Sequence, residues 1–243
     1  MAMVLAAFAG FLHANGIDLI AGSARNETAP AGEARTYRLT LQRGQATEIA
    51  LRQRDAVGLE LRWATHGAQE TTSLATEAGR ESIVRTVLIA PERTTWDLVV
   101  APSRSDRAFH YAIAVTAAHP ATKADHDRAA AVTSLAEAQA LRAKADKDLA
   151  PQARTLYHAS IDAWRSAGDS CGARNTYVAL AGLEHEVVDA AAQKAAAQAA
   201  LDQPCETGVA DRALAERLLG SAYINQGDFA SGTRETERAV ASF

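Results

Sequence analysis

Two cysteines and seven histidines are the side chains of this 243-residue chain best suited to nucleophilic or metal chemistry. Thiol catalysis needs a base near the sulfur, so a cysteine paired with a histidine is the arrangement to look for. Two short strings offer it, Trp63-Ala-Thr-His-Gly67 and Cys205-Glu-Thr-Gly208, with His66 and Cys205 139 positions apart. Cys205 follows Ala199-Ala-Leu-Asp-Gln-Pro204, which reads as a helix end and a breaker. His66 lies in Thr65-His-Gly-Ala68, which reads as a hairpin turn. The expectation is therefore two unrelated turns and no catalytic residue. Neither Cys171 nor Cys205 has a second Cys or His at ligand spacing, so no metal is expected. His126 between Asp125 and Asp127 reads as a solvated helix start. No GxGxxG, P-loop, GxSxG or HExxH string occurs, and no cofactor is expected.

The elements that would position these residues change type partway along the chain. Residues 1–122 hold twelve arginines and no lysine, and every lysine lies at Lys123 or later. Hydrophobic periodicity changes at the same place, which predicts a domain boundary. Net charge is −4 and no basic patch carries interleaved aromatics, so no nucleic-acid partner is expected. No apolar run reaches the ~20 residues of a membrane span. Residues 1–14 begin with an apolar run and read as a signal segment without a basic start, cleaved after Ala14 or Ala24. That predicts a periplasmic or secreted protein, with a buried cytoplasmic N-terminal segment as the alternative.

Residues 15–118 alternate with period two. Tyr37, Leu39 and Leu41 face one way and Arg38 and Thr40 the other. Ile49 and Leu51, then Leu59, Leu61 and Trp63, then Tyr111, Ile113 and Val115 repeat the pattern. Seven or eight short strands separated by turns predict an antiparallel β-sandwich. Residues 32–41, with the run Tyr37-Arg-Leu-Thr-Leu41, resemble the opening of pre-peptidase C-terminal domains. That resemblance implies a binding or targeting module ahead of a helical array.

Residues 119–126 are expected as a linker, and 127–243 as helices. Six helices are predicted: 127–147, 153–167, 173–187, 190–201, 209–226 and 230–242. In the last pair, Leu219 and Tyr223 share a helix face, Gly220 admits a close partner, and Gly227 suits a left-handed stop. Asp228 can cap the next helix, with Phe229 packing under the turn. This pattern resembles a tetratricopeptide repeat (TPR) over 209–243, departing from it at Gly232 and Thr236. Leu180-Ala181 repeats Leu219-Gly220 39 residues earlier, with Glu184 where the family has an aromatic. The predicted class is α+β multidomain: a β-sandwich, then a TPR-like array of helical hairpins. An array of this kind implies a groove for a peptide or protein partner, lined in the last repeat by Arg217, Ser221 and Asn225. Chain continuation or a homodimer contact is expected at the C-terminal repeat.

Cys171 and Cys205 each read as opening the first helix of a hairpin. In an exported chain a disulfide between them is one reading. Consecutive helix starts lie ~10 Å apart, beyond the ~7 Å Cα reach of a bridge, so free, partly buried thiols are the other and the expected one. The strings around His66 and Cys205 also resemble the motifs of CHAT-type caspase-like proteases. Those enzymes place the histidine ~50 residues before the cysteine, each on a core strand, which this chain does not. The function expected is non-catalytic binding of a peptide or protein. The alternative is the recognition region of a larger CHAT-type cysteine protease.

Overall fold

The computed structural model describes residues 16–55, 58–76, 81–103, 107–206 and 209–242. The expected signal segment 1–14 lies outside them. Among the described residues ten strands precede six helices. The strands are β1 (Ile17–Leu19), β2 (Ala24–Ala29), β3 (Arg35–Leu41), β4 (Gln45–Gln53), β5 (Leu59–Thr65), β6 (Thr72–Ala75), β7 (Ile83–Ile89), β8 (Thr94–Pro102), β9 (Phe109–Val115) and β10 (His119–Pro120). The helices are α1 (Lys123–Arg142), α2 (Ala150–Ser166), α3 (Ser170–Glu186), α4 (Ala190–Leu201), α5 (Val209–Asn225) and α6 (Phe229–Ala241).

Alternation sets the strands. Tyr37, Leu39 and Leu41 on β3 are at most 1% exposed, and Phe109, Tyr111, Ile113 and Val115 on β9 at most 3%. One sheet runs β1-β3-β8-β5-β6; the other is built on β4, with β7 on one side, β9 and β10 both paired to β4 on the other, and β2 outside β9. The two share a core, in which the Tyr37 and Tyr111 hydroxyls from opposite sheets meet at 2.7 Å. Burial is the main reason both phenols titrate above the ordinary tyrosine value. Pairing is antiparallel except at β1, which runs parallel to β3.

The stretch 119–126 is ordered rather than a linker. β10 pairs with β4 at Ala46 and Gln45. Thr122 then caps α1 through a reciprocal capping box: its hydroxyl accepts from the Asp125 N–H, and the Asp125 carboxylate accepts from the Thr122 N–H at 2.8 Å. α1 therefore begins four residues earlier than expected. It packs along β7 and β6, and one buried cluster runs from Tyr37 and Leu88 through Leu135 to Trp164 and Leu219.

The helices pair as α1–α2, α3–α4 and α5–α6, and α3 touches both α1 and α5. Three of the turns share one design: a residue at positive φ, then an aspartate that caps the next helix. Gly168-Asp169, Val188-Asp189 and Gly227-Asp228 precede α3, α4 and α6, with φ of 71°, 65° and 84°. Within the last pair, a Cβ on Gly220 would lie 2.7 Å from the Thr236 hydroxyl and 2.9 Å from the Gly232 carbonyl. Gly232 in turn sits under Ile224, so both glycines serve one close helix crossing. Phe229 does not pack under the turn. It opens α6, where no described helix covers it, and is 67% exposed.

Candidate binding surface

The expected partner-binding residues lie on α5 at intervals of four, so they share one face. Arg217 and Asn225 are exposed and Ser221 is half-buried. Ser221 Oγ stands 3.5 Å from Nδ1 of His185 on α3. His185 Nδ1 is also 3.4 Å from the Gln193 side-chain oxygen, and the buried Gln193 amide donates to the Leu218 carbonyl at 2.8 Å. Gln193 thus ties α4 to α5 and fixes the α5 face beside α3. One helix further back, the Arg142 guanidinium at the end of α1 binds the Glu186 carboxylate at 2.7 Å and lies over Gly182 of α3. The C-terminal halves of α1, α3 and α5 therefore present a common strip: Arg142, Glu186, His185, Ser221 and Asn225. Residue types along α5 lead to Ser221 and Asn225, with Arg217 one turn further back on the same face; Arg142, Glu186 and His185 are reached only through the packing of α3 against its neighbours.

The N-terminal parts of α3 and α5 and the middle of α1 border a crevice against β6 and β7, lined by Leu74, Ile83, Leu135, Gln139, Asn175 and the two cysteines. Its free volume is about 40 Å³, room for a few waters rather than for a small organic ligand. The Gln139 side-chain oxygen accepts from the Ala75 N–H at 3.3 Å, on edge strand β6.

Cys171 and Cys205 are joined in a disulfide, with Cα atoms 5.0 Å apart. The ~10 Å spacing of helix starts does not apply, because Cys205 precedes α5 rather than opening it. The segment turns inward there: the Arg174 guanidinium donates to the Gln203 carbonyl, and the Cys205 N–H donates to the same oxygen at 2.9 Å. Cys205 therefore has no thiol for a base to activate. His66 is held elsewhere, with Nδ1 2.7 Å from Asp97 Oδ2, while Asp97 Oδ1 accepts from Arg38 at 3.3 Å. Around His126, Asp125 caps α1 and Asp127 binds Lys123 and Ser166. Among the described residues no three His, Cys, Asp or Glu side chains converge as a metal ion would require.

Glu184 is 1% exposed and makes a two-pronged ion pair with Arg154 of α2, at 2.6 and 2.7 Å. The hydrogen bonds that the guanidinium donates to Glu184 are the main cause that raises Arg154 above its usual value.

No family model matches the chain, and no curated protein matches it. Solved structures resemble part of it. The pre-peptidase C-terminal domain of a collagenase from Bacillus anthracis is 10% identical, with a TM-score of 0.35, covering 42% of this chain and 94% of that one. A periplasmic inhibitor of g-type lysozyme from Aeromonas hydrophila is 12% identical, with a TM-score of 0.34, covering 43% and 96%. The corresponding inhibitor from Salmonella Typhimurium is 11% identical, with a TM-score of 0.31, covering 42% and 96%.

Proposed function

We propose that the chain is a non-catalytic binding module in which a β-sandwich supports a TPR-like array, and that the array takes a peptide or protein partner. The observation that carries this reading is the strip across α1, α3 and α5. Its polar side chains are spaced along three neighbouring helices, as an extended or helical peptide would need. Arg217, Ser221 and Asn225 form the contacts on α5. The crevice at the N-terminal ends of α3 and α5, with about 40 Å³ of free volume, is too small for a metabolite. The partner is a protein rather than a nucleic acid, since the strip mixes Arg142 and Arg217 with Glu186 and neutral groups. Export to an oxidising compartment fits the Cys171–Cys205 bridge, which would not persist among cytosolic thiols; among the described residues no helix is long and apolar enough to cross a membrane.

Selection from a random peptide library displayed on phage tests the proposal. The expected result is a consensus motif enriched by the wild-type chain and lost when Arg217→Glu is the bait. Enrichment of the same motif by both baits would refute the assignment.

A further inference from the structure

The outer face of the sheet β2, β9, β4 and β7 carries alanines where long polar residues are usual on a wet face. Ala24, Ala114 and Ala50 stand opposite one another across three strands, with Ala112 alongside. This low floor leaves an open trough of about 330 Å³. Arg85 on β7 is the register partner of Ala50 and closes the row. Arg52 and Arg54 rise from the β4 side two residues apart, roughly 7 Å along an extended chain. Arg25 and Asn26 border the trough on β2.

The structure already shows what the arginine pair holds. The Glu81 carboxylate lies 3.7 Å from Arg52 and 3.1 Å from Arg54. It is carried on a residue at φ 65°, a conformation that side chains larger than glycine's rarely adopt. Arg85 faces Glu48 at 3.8 Å, and Arg25 faces Glu27 at 4.0 Å. The Arg52 and Arg54 side chains stay 44% and 42% exposed, and among the described residues two carboxylates, Glu81 and Glu48, reach the three arginines Arg52, Arg54 and Arg85.

We infer that this trough binds an extended acidic peptide segment, with alternate carboxylates on Arg52, Arg54 and Arg85 and its backbone over the alanine floor. Alternate side chains of an extended chain recur at the spacing of Arg52 and Arg54, and Glu81 occupies the position of one ligand carboxylate. A shallow floor admits a chain, and arginines at both ends of it favour a multivalent ligand over a single small anion. The site is separate from the helical strip and does not depend on it.

The test uses the full chain and a fluorescein-labelled (Glu-Thr)4 peptide at low ionic strength, read by anisotropy, with (Lys-Thr)4 as control. The acidic peptide binds and the basic one does not. Arg52→Gln with Arg54→Gln weakens binding about tenfold or more, as loss of paired charge contacts does. Glu81→Gln tightens it several-fold by freeing the arginine pair, and Arg217→Glu leaves it unchanged. Arg85→Gln provides the same reading if the double variant fails to fold. The inference is overturned if the two peptides bind equally, if neither arginine variant weakens binding, if Glu81→Gln fails to tighten it, or if inorganic sulfate at equal charge displaces the peptide completely.

Discussion

Cys171 at the start of α3 and Cys205 ahead of α5 are bonded across a separation of 34 residues, so the whole α3–α4 hairpin is closed into one covalent loop. Their sulfurs border the crevice between the helices and β6–β7. Closing a loop of that length removes chain entropy worth about 3–4 kcal/mol from the unfolded state. Cys171→Ser with Cys205→Ser is expected to lower stability by that order, with urea denaturation showing the loss in the midpoint. A change within error would mean that the loop is equally restricted without the bond.

Val188 holds a left-handed conformation that glycine holds at the two equivalent turns. A β-branched residue there costs roughly 1–2 kcal/mol, while a glycine costs about 0.4–1 kcal/mol through the freer unfolded chain. Val188→Gly is therefore expected to stabilise the fold slightly, by about 0.5–1 kcal/mol in the same denaturation. Its 72% exposure means that little packing is lost.

Arg154 and Glu184 form a pair with one end buried. Arg154→Ala leaves the Glu184 carboxylate buried without its guanidinium, at a cost of about 3–5 kcal/mol. The double change Arg154→Met with Glu184→Leu is expected to recover most of that loss. Failure of the double variant to recover would show that the pair stabilises beyond its own neutralisation.

Asp125 sets a pH dependence at the β-to-α junction. Burial acts to raise its carboxyl, but the Thr122 hydrogen bonds and the charges of His119 and Arg128 outweigh it and hold the value below the usual one. Because the folded value is depressed, this contribution is present above the unfolded value, about 3.9, and is lost as pH falls through the folded one. Asp125→Asn is expected to cost about 1 kcal/mol at neutral pH, with the gap from wild type closing below about pH 4. A gap that stays constant with pH would contradict the assignment.

Much of this fold is legible in the sequence, for reasons that differ by element. β3, β4, β5 and β9 are buried on one face, so period two shows directly. β2 reads Ala-Arg-Asn-Glu-Thr-Ala and β6 is four residues long. Both are edge strands, and neither imposes alternation on its sequence. The helix turns at Gly168 and Gly227 announce themselves through glycine; the third, at Val188, violates the rule that identifies the others. The ordered junction at 119–126 was hidden by a Pro and a polar run that reads as a break, although Thr122 and Asp125 carry the capping-box spacing. On the proposed binding surface, periodicity places Arg217, Ser221 and Asn225 on one face. It does not reach His185 and Arg142, because only tertiary packing sets them beside α5 and α3. The inward bend that brings Cys205 to Cys171 depends on Arg174 and Gln203, 29 residues apart, and no local pattern encodes it.

The most direct test of the central claim is the affinity of a library-selected peptide for the wild-type chain, Arg217→Glu and Asn225→Ala, with unfolding midpoints measured in parallel. Binding through the helical strip predicts a loss of about tenfold or more for Arg217→Glu and a smaller loss for Asn225→Ala, at unchanged midpoints. Equal affinity for all three proteins would contradict it.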